Sequence, residues 1–246
     1  MDILAGARDF ILDILFPRFC AGCRAEGYYL CSDCQSALVF FEHEYCLCQN
    51  PSRLPLGVRC RKCARLPLDG LYSALPYDSS LVKKIISRFK YAPFVKELAK
   101  SCADLIINHF QLLDKPPYCP KSGWIAQPGQ RWLIVSVPLH KKRLKWRGYN
   151  QSECLAKELA SRLRIKFLPS CLIKIKKTPP QAELSAKERE GSVKNVFACP
   201  QSFAVAGHRV ILVDDVYTTG ATMQECARVL KATGARQVWG IVVARG

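Results

Sequence analysis

The 246-residue chain lacks the glycine signatures of the commonest nucleotide and acyl-transfer sites. No G-x-x-x-x-G-K-[ST] occurs, which excludes a P-loop NTPase, and no G-x-G occurs, which excludes the dinucleotide fingerprint. G-x-S-x-G is missing too, and with it the nucleophile elbow. No apolar run approaches the roughly 18 residues a membrane helix needs. The N-terminal "MDILAGARDFILDILFPRF" has Ile3, Leu4, Ala7, Phe10, Ile11, Ile14 and Leu15 at helical spacing, but Asp2, Arg8, Asp9 and Asp13 interrupt it. A signal peptide does not carry that many acids in its apolar stretch, so the expectation is an amphipathic helix on a cytoplasmic chain. Internal repeats beyond cysteine pairs, and low-complexity tracts, are absent.

Acidic residues are scarce. Twenty Asp and Glu face 37 Lys and Arg, a formal net charge of +17. That excess favours a polyanionic partner such as a phosphate ester, nucleic acid or membrane surface, with a diffuse solvated basic surface as the plain alternative.

What is abundant is cysteine, fourteen in all. Eight fall between Cys20 and Cys63, and clustering of this kind indicates metal ligation in a reducing compartment. Cys20 and Cys23 with Cys31 and Cys34 form two C-x-x-C knuckles across a seven-residue spacer, suited to a tetrahedral thiolate zinc site. Cys46, Cys48, Cys60 and Cys63 supply a second set, and cross-braced ligation would use the same eight residues. Such zinc is structural, because four thiolates leave no position for water. Cys102, Cys119, Cys154, Cys171, Cys199 and Cys226 read as small buried hydrophobes.

Two units are expected: residues 1–66, an N-terminal helix and a cysteine-rich double zinc ribbon, and residues 67–246. Strands are expected at 71–77, 133–138, 172–175, 210–217 and 238–243. Helices are expected at 81–89, 95–110, 151–163 and 222–232, the last closed by Gly234. Residues 114–130 form a Pro- and Gly-rich surface excursion. Near-continuous apolar runs alternating with helices indicate an α/β fold, a mainly parallel sheet covered on both faces. Such sheets bind ligands at the carboxyl ends of their strands.

At one such end stands "VILVDDVYTTGATM", Val210 to Met223. A strand running through a glycine turn into a helix presents backbone N–H groups at a positive helix end, and Thr218, Thr219 and Thr222 add hydroxyl donors. Gly220 and Ala221 let an anion approach closely. Asp214 and Asp215 would repel a phosphate, but they suit the vicinal hydroxyls of a ribose. An ordinary strand-to-helix turn with Asp215 as a cap is the simpler alternative, and it needs only one of these residues. Between Pro138 and Gln151 lie Lys141, Lys142, Arg143, Lys145 and Arg147, interleaved with Trp146 and Tyr149. Lys142, Arg143 and Arg147 are the candidate pyrophosphate contacts, the arginines because guanidinium binds phosphate bidentately. Trp146 and Tyr149 could instead stack bases of a single strand, or simply pack. Lys177, Gln181 and Arg189, in a loop opened by Pro179 and Pro180, are second-rank ligand contacts, and His140 is left without a role.

The Val210–Met223 stretch resembles the phosphoribosyl pyrophosphate signature of type I phosphoribosyltransferases. In that family the acids hold the ribose hydroxyls and the T-T-G-A-T loop holds the 5-phosphate. With "VPLHKKRLKWRGYNQ", "KTPPQAELSAKERE" and the N-terminal cysteines, most of the chain resembles the ComF-type competence proteins. Two departures are Ser192, where that family usually has Asn, and the C-x-C of Cys46 and Cys48, where it usually has C-x-x-C. The resemblance implies a phosphoribosyltransferase-like fold, phosphoribosyl pyrophosphate bound with magnesium, and transfer of ribosyl phosphate to a nitrogen acceptor. Its alternative implication is a non-catalytic protein of natural transformation that holds single-stranded DNA alongside the DNA-uptake machinery.

Overall fold

The computed structural model describes residues 17–43, 46–48, 51–52, 60–91, 95–113, 131–176, 178 and 193–246. The expected N-terminal helix, the 114–130 excursion, and Lys177, Gln181 and Arg189 lie outside them.

Five strands form one parallel sheet, β1 (Gly70–Pro76), β2 (Trp132–Ser136), β3 (Lys166–Phe167), β6 (Arg209–Tyr217) and β7 (Gln237–Arg245), in the order β1-β7-β6-β2-β3. The chain leaves β2 outward for edge strand β3, then returns to lay β6 on the other side of β2. The strand order therefore reverses between β2 and β6, and their carboxyl ends flank the crevice where such sheets take ligands.

Alternation decides which layer each side chain enters. Along β6, Ile211 and Val213 join a core cluster with Ile85, Phe89, Leu105 and Leu155 from α2 (Ser80–Lys90), α3 (Leu98–Leu112) and α5 (Gln151–Leu163). Val210 and Leu212 join the opposite cluster with Met223, Cys226 and Leu230 from α7 (Ala221–Ala232). The cysteine-rich segment reaches both layers. Ala21 and Leu38, close to the first cysteine set and to α1 (Ser32–Ser36), pack into the first cluster, while Cys46, Leu47 and Cys63 belong to the second. Arg88 on α2 donates to the carbonyls of Phe19 at 3.0 Å and Cys20 at 3.3 Å.

Most elements lie within a residue or two of expectation, with three corrections. The strand expected at 172–175 is Ile173–Lys174 (β4), paired antiparallel with β5 (Phe197–Ala198) in a separate two-stranded ribbon. Its "LIKIK" run alternates with lysine, and Ile173 and Ile175 are exposed, so it lacks the two-sided apolar surface a place in the main sheet requires. The helix expected from Val95 starts at Leu98. The basic stretch taken as a loop contains a helix, α4 (Lys141–Arg147), because the His140 side chain caps it through the Lys142 amide and Gly148 ends it in the left-handed region. A 3-10 turn (Cys63–Arg65) and a short α6 (Ser202–Val205) complete the described elements. Among the described residues no helix is long and apolar enough to cross a membrane.

Asp69 ties the start of β1 to β7. Its amide donates to the Val238 carbonyl at 2.7 Å, and its carboxylate accepts from the Val238 amide at 2.6 Å and from Lys231 on α7 at 2.8 Å. Asp69→Ala leaves the Val238 amide of a buried residue without its acceptor. Urea unfolding should show a loss of about 1–3 kcal/mol.

Candidate functional site

At the carboxyl end of β6, Asp214 and Asp215 point to opposite sides of the strand, and each is held by another element. The Asp214 Oδ1 accepts from the hydroxyl of Ser152 at 2.6 Å and from the Asp215 amide at 2.9 Å. Ser152 is fixed because Asn150 caps α5: its Oδ1 accepts from the Ser152 amide at 3.2 Å, and its Nδ2 donates to Val137 O at 3.0 Å. Asp215 is 2 % exposed. Its Oδ1 meets the Lys90 ammonium at 2.9 Å, while its Oδ2 is buried without a hydrogen-bond partner.

Electrostatics follow from that crowding. Asp214 is pushed up to about 7, first by burial and then by the charge of Asp215, with Lys90, the Ser152 hydroxyl and the Asp215 amide pulling down. Burial works against the Lys90 ammonium, yet Asp215 and Asp214 together outweigh it and hold its pKa above the ordinary lysine value.

Beyond β6 the chain turns through Thr218, which is exposed, Thr219 and Gly220 into α7. Gly220 has φ +78°, and a Cβ there would lie 2.1 Å from the Tyr217 hydroxyl oxygen, so both backbone and packing demand glycine. No side chain caps α7. Thr219 Oγ1 stands 3.5 Å from the Ala221 amide, and Thr222 lies in the first turn, partly exposed. An open helix N-terminus beside an orphaned buried carboxylate oxygen provides donors for an anion and an acceptor for a hydroxyl.

The basic candidates separate. Lys142 is exposed and Arg143 is half-buried. Arg147 turns inward instead: its guanidinium donates to Gln151 Oε1, lies 5.8 Å from the centre of the Tyr91 ring, and leaves Nε buried without a partner. Burial lowers its pKa, while Asp215 is the foremost group raising it, so Arg147 and the acid pair share one field. Trp146 is 64 % exposed. Tyr149 packs against Phe89 with ring centroids 6.2 Å apart and donates its hydroxyl to the Phe89 carbonyl at 2.7 Å.

Sequence reasoning missed Lys90, Ser152 and Lys174. Lys174, on β4, donates to Thr178 Oγ1 at 2.7 Å and lies 5.5 Å from the Phe197 ring centre. Burial, then the nearby charge of Arg143, brings it down to about 8, with Asp214 among the groups opposing. The lysine alternation of "LIKIK" was the available signal for Lys174. Nothing local marks Lys90 or Ser152, which reach Asp215 and Asp214 across 125 and 62 positions of chain.

The cysteines gather into two sets of four, Cys20, Cys23, Cys31 and Cys34, and Cys46, Cys48, Cys60 and Cys63, with the sulfurs in each set within 4.8 Å of one another. Adjacent pairing thus replaces the cross-braced alternative. Zinc–sulfur bonds of about 2.3 Å in a tetrahedron put sulfurs about 3.8 Å apart, which these sets match. Amides of Gly22 and Cys31 point at Cys20 Sγ, that of Ala25 at Cys23 Sγ, and that of Ser52 at Cys46 Sγ, over 3.2–3.4 Å. Such donors favour thiolate, so both sets fit zinc.

Two outcomes follow. Metal analysis should return two zinc ions per chain, and chelation should lower the melting temperature, because the cysteine segment contributes to both core layers. Asp214→Asn tests the field at the strand tip. A carboxyl raised from its unfolded value toward about 7 contributes stability that is complete below the unfolded pKa and lost as pH rises through 7. The substitution should therefore raise the melting temperature by about 2–8 °C at pH 8 and by progressively less toward pH 4.

Residues 150–246 match the family model described as "Phosphoribosyl transferase domain". The chain is 40% identical over 234 residues to the DNA utilization protein YhgH of Salmonella typhimurium, spanning 91% of this chain and 96% of that protein. It is 41% identical over 115 residues to Competence protein F of Haemophilus influenzae, a match covering 44% of this chain and 48% of the relative. Competence protein ComFC of Streptococcus pneumoniae is 24% identical over 219 residues, 87% of either chain. A near full-length match at this identity, on a parallel sheet whose β6-to-α7 turn lies inside the matched domain and behind two four-cysteine clusters, shows that the chain belongs to the ComF-type family of phosphoribosyltransferase-domain proteins.

Proposed function

We propose that the protein binds phosphoribosyl pyrophosphate at the carboxyl end of β6. The observation that carries this reading is the unpartnered, buried Oδ2 of Asp215 beside the uncapped start of α7. The ribose hydroxyls donate to Asp214 and Asp215, and the 5-phosphate rests on the amides and hydroxyls of Thr218, Thr219, Gly220, Ala221 and Thr222. Lys142 and Arg143, at the neighbouring end of β2, face the pyrophosphate, and Arg147 steadies the acids from beneath. Magnesium, when bound with the pyrophosphate that Lys142 and Arg143 face, would supply charge neutralisation to the leaving group. The chain's own share in transfer to a nitrogen acceptor is positioning and electrostatics, since among the described residues no general base stands beside the acids. Zinc in the cysteine clusters is structural, and thiolate ligation is consistent with a cytoplasmic location.

A second reading draws on the exposed face of α4, where Trp146 stands beside exposed Lys141, Lys142 and Lys145. An exposed ring on a helix that also carries three exposed lysines suits single-stranded DNA, a role in keeping with relatives named for DNA utilization and competence. Tyr149 does not take part, because its ring and hydroxyl are engaged with Phe89.

Calorimetry separates the two. Phosphoribosyl pyrophosphate should bind the wild type, and binding should vanish in Asp214→Ala/Asp215→Ala and fall at least about tenfold in Gly220→Ala, where a side chain meets both strain and Tyr217. Trp146→Ala should instead weaken an oligodeoxynucleotide by about 1–3 kcal/mol and leave the sugar phosphate unaffected. Unchanged affinity in the double aspartate variant would sink the first reading.

A further inference from the structure

Lys90 is the last residue of α2, and its ammonium lies 2.9 Å from Asp215 Oδ1. The acid side chain is 3% exposed and the lysine 24%. Two carboxylates on consecutive residues at a buried strand end repel each other and would repel a ligand bearing phosphates still more. In most settings that conflict is relieved by protonation or by a cation. Here the cation is part of the chain. Arg147, buried within the same field, supplies a second positive charge, so two acids are matched by two resident cations.

The contact is also selective. Lys90 takes Oδ1 of Asp215 and leaves Oδ2 without a partner. An ammonium is a compact charge that can satisfy one carboxylate oxygen without bridging both, whereas a bidentate guanidinium would occupy the pair. A purely structural ion pair would gain from closing both oxygens.

We propose that Lys90 is a positioning residue that serves as the resident counter-ion of the acid pair, engaging Asp215 Oδ1 and leaving Oδ2 presented to the sugar, so that binding of a phosphorylated ribose depends little on a divalent cation. The inference rests on the reading of the site as one for phosphoribosyl pyrophosphate and goes further in assigning the neutralising charge to α2.

The test is calorimetry with phosphoribosyl pyrophosphate on the full chain, in excess magnesium and again in EDTA, for wild type, Lys90→Met and Lys90→Arg. Circular dichroism establishes that each variant is folded. In the wild type, withdrawing magnesium should change affinity by less than about threefold, whereas Lys90→Met should lose about tenfold or more in EDTA and recover most of it with magnesium. Lys90→Arg keeps the charge but can close both Asp215 oxygens, so it should lose affinity in magnesium as well as in EDTA, unlike Lys90→Met, which magnesium rescues. In Lys90→Met Asp214 loses a charge that pulls its pKa down, so the fall of binding on acidification should begin at higher pH than in the wild type. A merely structural lysine would not move that profile. Wild-type binding that requires magnesium overturns the role of Lys90 while leaving the site's ligand intact. Absence of binding with and without magnesium overturns the ligand reading itself. Should Lys90→Met fail to fold, the wild-type comparison in magnesium and EDTA still decides.

Discussion

Two like charges separated by one peptide bond, at the end of a strand buried on both sides, constrain much of the structure. Asp215 cannot face the interior uncompensated, and Asp214 cannot ionise freely beside it. Their compensation comes from three helices. Lys90 arrives from the end of α2 after β1, Arg147 from α4 after β2, and Ser152 from the first turn of α5. Only a central position for β6, with β2 on one side and β7 then β1 on the other, brings those three within reach. The strand order is in this sense a solution to an electrostatic problem, and the cost of that arrangement is visible in the raised pKa of Asp214. Sites that store such cost are where ligands gain most on binding.

The β6-to-α7 turn is braced from the opposite layer. Tyr217 lies beneath Gly220, its hydroxyl oxygen facing the Gln224 amide nitrogen at 3.5 Å. Gln224 accepts from the Leu68 amide at 3.1 Å, a residue of the segment that follows the second cysteine set. Arg245 lies 5.5 Å from the Tyr217 ring centre and donates to the carbonyl of Cys48 at 2.8 Å. A continuous path of contacts thus joins the second four-cysteine cluster to the first turn of α7. The cysteine segment braces the β6-to-α7 turn as well as covering the core.

How much of this was readable from the chain varies with the range of the interaction. The β6 strand, the acid pair, the glycine turn and α7 are contiguous, so pattern and turn chemistry expose them together. The helix 151–163 was legible to the residue because Asn150 caps it and its apolar spacing is unbroken. Lys90 and Ser152 were not, since their partners are set by strand order, and strand order is a product of tertiary packing that no local window contains. β4 was misplaced for a related reason: a short apolar run satisfies a strand in any sheet, and only the exposure of Ile173 and Ile175 shows which sheet took it. The basic stretch was legible as charge but not as α4, because a histidine cap carries little weight in a sequence dense with lysine and arginine.

The excess of 37 basic over 20 acidic residues looks like one property in the sequence and resolves into two in the fold. Arg147 and Arg245 are largely buried and Lys90 is largely covered, each engaged with a carboxylate, an amide or a carbonyl, and their fields are local and weakly screened. Lys141, Lys142 and Lys145 stand in solvent on the helix that carries Trp146, where mobile ions screen them and where a polyanion would release those ions on binding. An anion bound among the first group would feel added salt far less than a polyanion bound across the second. Both kinds of site can exist on one chain without competing for the same charges, since the side chains that tune the acid pair are the ones the surface cannot offer.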